Sequence, residues 1–132
     1  MTTRFLVCFG LVGILLPAFA VDVPATPQRR VIRIRAERFH FTPSEIKLKQ
    51  GEEVELRLKS DDTAHGFRLA GPDTDVVIPK RGKGEISVVF AAREPGRYEF
   101  ECSQMCGAGH SFMRGIIIVS PPADEGVEGK QR

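Results

Sequence analysis

Two thiols, an imidazole and a thioether fall within one short stretch, Cys102-Ser-Gln-Met-Cys106-Gly-Ala-Gly-His110-Ser-Phe-Met113. These are soft to borderline donors. A thioether beside thiolates and imidazole selects copper over magnesium, calcium or manganese, which prefer oxygen. A second imidazole, His65, stands upstream in Asp61-Asp62-Thr63-Ala64-His65-Gly66-Phe67. His65, Cys106, His110 and Met113 already supply the two His, one Cys and weak axial Met of a mononuclear blue-copper site. Cys102 is then surplus. With it, two sulfurs can bridge two copper ions and each ion can take one imidazole. Met113 would be axial to one ion and the Gln104 backbone carbonyl to the other. The same side chains also allow a Cys102–Cys106 disulfide, a tetrahedral zinc site with both cysteines, His65 and His110, or one copper ion. The zinc reading leaves Met113 without a role.

Such a loop needs rigid flanks, and the flanks read as strands. Ile32, Ile34 and Ala36 alternate with Val31, Arg33 and Arg35. Ile46 and Leu48 alternate with lysines, and Val54, Leu56 and Leu58 with Glu55, Arg57 and Lys59. Ile86, Val88 and Phe90 form a further set, as do Tyr98, Phe100 and Cys102. This period of two marks half-buried strands. Gly115–Val119 is a continuous apolar run, as expected of a strand buried on both faces. Turn signals separate the runs at Thr42-Pro43, Gln50-Gly51, Gly71-Pro72, Arg81-Gly82 and Pro95-Gly96. The pattern predicts an all-β fold, an antiparallel β-sandwich with Greek-key links. Loops of a sandwich cluster at its ends, so His65 can meet the Cys102–Met113 loop. A loop clamped by strands at both ends changes its coordination little between redox states, which suits electron transfer.

The chain has 132 residues and a net charge of +2, room for one domain and too balanced for a protein that binds nucleic acid through phosphate charge. The odd count of 3 cysteines is no disulfide framework. Arg4 precedes an uncharged run, Phe5–Val21, that ends in Ala18-Phe19-Ala20. Residues 1–20 therefore read as a secretory signal peptide cut before Val21, or as a short uncleaved membrane anchor. Either places the remainder outside the cytoplasm, in a periplasmic setting. Residues 21–30 are a Pro-rich linker, 31–120 the folded domain and 121–132 a solvated tail. His40 reads as a solvated strand residue, Met105 as a packing residue, and Asp61 and Asp62 as solvated turn residues. Phe112 and Ala108 read as an apolar patch beside His110, with Gly107-Ala108-Gly109 small enough to let a partner approach.

The spacing Cys-x-x-x-Cys-Gly-x-x-His-x-x-Met over Cys102–Met113, with an upstream His65-Gly-Phe, resembles the dinuclear CuA site of cytochrome c oxidase subunit II. The Gln104 and Gly109 positions and the run Met113-Arg-Gly-Ile-Ile-Ile-Val resemble the B-type bacterial oxidases. Nitrous oxide reductase carries a related site. The resemblance implies a cupredoxin-like domain with two copper ions. It pairs His65 with Met113 on one ion and His110 with the Gln104 carbonyl on the other, bridged by Cys102 and Cys106. It also implies a c-type cytochrome or cupredoxin as electron donor and a haem–copper oxidase catalytic subunit as partner. Three departures are visible. Gln104 replaces the acidic residue that many relatives use for a magnesium ion at the catalytic-subunit interface. The chain has no Trp to mark a cytochrome-docking aromatic. It has at most one short apolar segment where relatives have one or two spans. The expected function is single-electron relay to a terminal oxidase or reductase, and copper delivery or storage is the alternative. No general acid–base pair or cofactor motif suggests an enzyme acting alone.

Overall fold

A computed structural model describes residues 29–122. The apolar segment 1–20, most of the linker 21–30 and most of the tail 121–132 lie outside them. Among the described residues the strands are β1 (Arg30–Glu37), β2 (His40–Thr42), β3 (Glu45–Lys49), β4 (Glu53–Ser60), β5 (His65–Leu69), β6 (Thr74–Ile78), β7 (Ile86–Ala91), β8 (Gly96–Glu101) and β9 (Arg114–Ser120). They form two sheets, ordered β2-β1-β4-β7 and β3-β9-β8-β5-β6. No helix among the described residues is long and apolar enough to cross a membrane.

The alternation seen in the sequence sorts side chains onto two inner faces. Ile34, Ala36, Leu56, Leu58 and Phe90 from one sheet meet Leu48, Phe67, Phe100, Ile117 and Val119 from the other in one core. Each fully buried aliphatic or aromatic side chain contributes about 1.5–3 kcal/mol by leaving water. Phe41, Phe67 and Phe100 sit with ring centroids 5.1–6.0 Å apart. Phe67 is two residues past His65 and Phe100 two before Cys102, so this aromatic cluster underlies the donor-bearing end.

The expected sandwich is present, and its sheets are mixed rather than wholly antiparallel. β1 pairs in parallel with β4, and β3 with β9. The chain leaves the first sheet after β2, crosses to place β3 in the second, and returns through β4 running the same way as β1. Alternation reports which face a residue takes and carries no signal for its neighbour's direction. The Gly115–Val119 run also differs from expectation. Ile117 and Val119 are buried, while Ile116 and Ile118 are half-buried on the uncovered outer face.

Candidate metal centre

The Cys102–Met113 loop connects β8 to β9, and its neck is closed by backbone. Glu101 pairs with Arg114 in the antiparallel ladder, and the Cys102 N–H donates to the Met113 carbonyl at 3.0 Å. Three successive tight-turn bonds follow inside the loop: His110 N–H to Gly107 O, Phe112 N–H to Gly109 O and Met113 N–H to His110 O, at 3.1–3.2 Å. They wind His110–Phe112 into a single 3-10 turn. In that geometry residues three apart lie on one face, so the spacing His110-x-x-Met113 sends the imidazole and thioether the same way.

All six donors anticipated from the sequence come together. Cys102 Sγ lies 3.8 Å from Cys106 Sγ, 3.9 Å from His65 Nδ1 and 3.1 Å from the Gln104 carbonyl oxygen. Cys106 Sγ lies 3.9 Å from His110 Nδ1 and 4.0 Å from Met113 Sδ. His65, Cys102 and Cys106 offer ligand atoms within 4.8 Å of one another, and all three residues are buried. Met113 is fully buried, and His110 is half-buried at the rim. Both cysteines are free thiols.

The donor set fits a bound metal. Burial pushes the Cys106 thiol up to about 11, and the adjacent Cys102 sulfur adds to the effect. Two facing sulfurs at this distance become thiolates comfortably only with positive charge between them. Metal–thiolate bonds are about 2.3 Å long, so one ion can touch both sulfurs only if they are closer than about 4.6 Å. The 3.8 Å separation meets that limit.

A second set of residues holds these donors, and sequence reading missed most of it. Asp62, expected to be a solvated turn residue, places Oδ1 2.7 Å from His65 Nε2 and accepts the Arg38 backbone N–H on Oδ2 at 3.0 Å. Burial pushes this carboxyl up, but the bonds from His65 and from the Arg38 and Thr63 backbone outweigh it and hold it down at about 2. It is therefore ionised and acceptor-only, so His65 Nε2 donates to it and Nδ1 is the ring nitrogen that faces Cys102. The Arg38 guanidinium donates from Nε to the Cys106 carbonyl at 2.7 Å. One turn residue thus steadies both halves of the donor cluster.

Gly66 donates its N–H to Cys102 Sγ at 3.4 Å. A Cβ at Gly66 would stand 2.6 Å from the backbone nitrogens of Ser103 and Gln104, so only glycine admits the loop this close to β5. The signal was the His65-Gly-Phe triplet, whose middle residue has no turn to serve. Gly107 and Gly109 have a role other than the one expected. A Cβ on either would come within 2.9 Å or less of the Phe39 ring, so the space above them is filled by Phe39 and not held open for a partner. Met105 also departs from expectation: it is 80% exposed, as is Phe112 at 81%. His40 is exposed, 3.8 Å from Glu37 and apart from the donors, as read from sequence.

A family model for the cupredoxin-like domain matches residues 9–119. The chain belongs to that family. This cupredoxin is 37% identical over 105 residues to cytochrome c oxidase subunit 2 of Thermus thermophilus, a match spanning 78% of this chain and 74% of that protein. Among solved structures, a chain of a haem–copper terminal oxidase dimer superimposes with a TM-score of 0.58 at 26% identity, covering 76% of this cupredoxin and 78% of that chain. The periplasmic domain of cytochrome oxidase subunit II from Bradyrhizobium japonicum shares the fold, with a TM-score of 0.64 at 16% identity over 73% of this chain and 88% of that one. The CuA-type resemblance carried by Cys102–Met113 thus agrees with the relatives found over the whole domain.

Proposed function

We propose that this cupredoxin holds two copper ions in a CuA-type centre and relays single electrons to a terminal oxidase or reductase. Cys102 and Cys106 would be shared by both ions, His65 and Met113 would complete one, and His110 and the Gln104 carbonyl would complete the other. One observation carries the reading: the donors next to each sulfur come from different pairs. His65 Nδ1 and the Gln104 carbonyl are near Cys102, whereas His110 Nδ1 and Met113 Sδ are near Cys106. Each terminal pair therefore straddles both sulfurs, as bridging requires. A two-Cys, two-His zinc site would leave the Met113 thioether and the Gln104 carbonyl idle beside it.

Copper bound here supplies a one-electron couple delocalised over two metals. The protein's residues do the rest. Asp62 fixes the His65 ring, Gly66 donates to a bridging sulfur, and the core under Phe67 and Phe100 resists movement between redox states. His110, half-buried between exposed Ala108 and Phe112, is the edge through which an electron enters or leaves. The donor is a c-type cytochrome or a cupredoxin, and the acceptor is the catalytic subunit of a haem–copper oxidase. The Thermus thermophilus relative supports that partnership. Residues 1–20 act as signal or short anchor, residues 31–120 as the copper domain on the periplasmic side, and 121–132 as a tail.

Copper content and electron-spin spectra of the loaded protein test the proposal. Two ions per chain and hyperfine structure from two copper nuclei are expected. Cys102→Ser keeps His65, Cys106, His110 and Met113, so it should bind one ion and lose the shared-electron spectrum. An unchanged spectrum and copper content in Cys102→Ser would overturn the dinuclear assignment.

A further inference from the structure

We propose that Ser103, Asp75 and Arg68 form a surface relay that fixes the Gln104 carbonyl against Cys102 and thereby tunes the reduction potential of the centre; this rests on the two-copper reading above. Ser103 lies between a bridging cysteine and the residue whose carbonyl is the weak axial donor. Its hydroxyl donates to Asp75 Oδ1 at 2.5 Å. The other Asp75 oxygen accepts from Arg68 Nε and Nη2 at 3.0 and 2.8 Å. Arg68 Nη1 also lies 3.7 Å from Glu101. In strand register Arg68 faces Asp75 on one side and Glu101 on the other, and Glu101 faces Arg114. A row of alternating charge therefore crosses four strands immediately beneath the loop.

The Ser103–Gln104 peptide is also packed closely against Gly66 of β5. The bare Cα of Gly66 lets both backbone nitrogens press onto β5. With its backbone packed on Gly66 and the Ser103 hydroxyl bonded to Asp75, the peptide is followed by a carbonyl 3.1 Å from Cys102 Sγ. The second axial donor is held differently. Met113 is fully buried and fixed by the core, whereas Gln104 is exposed. The exposed donor is the one that needs a tether. Axial ligands adjust the potential of copper–thiolate centres, and residues that orient ligands change metal affinity about 10–100-fold when removed.

The test uses the copper-loaded full chain and its Ser103→Ala, Asp75→Ala, double and Asp75→Asn variants. Reduction potential and visible spectrum are read by spectroelectrochemistry, and copper loss to a competing chelator by absorbance. Ser103→Ala and Asp75→Ala should shift the potential in the same direction by the same amount, and lose copper about tenfold faster. The double variant should shift no further, because both residues act through one bond. Asp75→Asn keeps an acceptor oxygen for Ser103 and should return most of the way to wild type. A Ser103→Ala protein with wild-type potential and wild-type chelator kinetics overturns the inference, as do shifts that simply add in the double variant. If wild type itself fails to take up two coppers, the functional reading falls and takes this one with it. Two coppers in wild type with a silent Ser103→Ala removes the relay alone.

Discussion

Asp62 Oδ1 and His65 Nε2 are 2.7 Å apart, three residues from each other in the chain and joined across the β4–β5 turn. The carboxyl is held at about 2 against an ordinary 3.8. A carboxylate depressed on folding contributes stability that is complete above its unfolded value and is lost as pH falls through its folded one, here on the order of 2 kcal/mol. Urea titrations of the metal-free protein should show wild type more stable than Asp62→Asn by about 2 kcal/mol at neutral pH. The gap should close as the pH approaches 2. A gap independent of pH would mean that Asp62 contributes nothing through its charge.

Gly66→Ala should be more damaging to the loop than to the sandwich. The added methyl meets backbone nitrogens at 2.6 Å, which cannot swing away as a side-chain tip can. Overpacking of this kind costs about 1–3 kcal/mol. Circular dichroism should retain the β spectrum, while copper uptake falls because Cys102 and the Gln104 carbonyl are displaced together. Normal uptake with an unchanged melting temperature would show that the loop has slack at this point.

That these six residues could converge was legible because metal ligation would require such residue types at such spacing, and the 3-10 turn accounts for the approach of His110 and Met113 to one sulfur. Strands β1, β3, β4, β7 and β8 were legible from alternation, and β9 from its unbroken apolar run, though not with the burial that run suggested. β5 was not: four of its five residues are buried, so no polar partner marks a period. β2, three residues long, is too short to show one. The supporting residues stayed hidden for a different reason. Asp62, Arg38, Asp75 and Ser103 are polar residues in turns and exposed strands, and nothing local distinguishes them from solvated neighbours. Their roles arise only when β1–β2, β4–β5 and β6 converge on one loop. Met105 misled in the opposite sense, since an apolar residue between two buried cysteines points outward here.

Copper loading should release protons. The Cys106 thiol, pushed up to about 11, keeps its proton at neutral pH in the metal-free protein. Bound copper needs the thiolate. Calorimetry in buffers of different ionisation enthalpy should detect at least one proton released per chain at pH 7, and uptake should weaken in acid. The same group makes a second, opposite mark at high pH. A folded value above the ordinary 9.0 means that stability is present below that value and is lost as pH rises toward about 11. The metal-free protein should therefore lose stability in that alkaline window, and Cys106→Ala should remove the loss. Loading with no proton release would rule out a protonated Cys106 in the metal-free state.

Met113→Leu separates relay from delivery. The thioether is fully buried, and leucine conserves its volume, so the fold should lose less than about 1.5 kcal/mol. A weak axial donor adjusts the potential more than it secures the metal. The variant should therefore keep most of its copper and change its reduction potential. A protein built to hand over metal would behave in the reverse way, with faster copper loss and no consistent change in electron transfer. Stopped-flow reduction by c-type cytochromes and cupredoxins, run beside copper loss to a chelator, reads both quantities on the same samples. The absence of Trp calls for several donors, and Phe112, 81% exposed two residues from His110, is the aromatic side chain to test for docking. Phe112→Ala should slow reduction by the best donor and leave the potential and copper retention at wild-type values. Rapid copper loss from wild type, with no reduction by any donor, would replace electron relay with delivery.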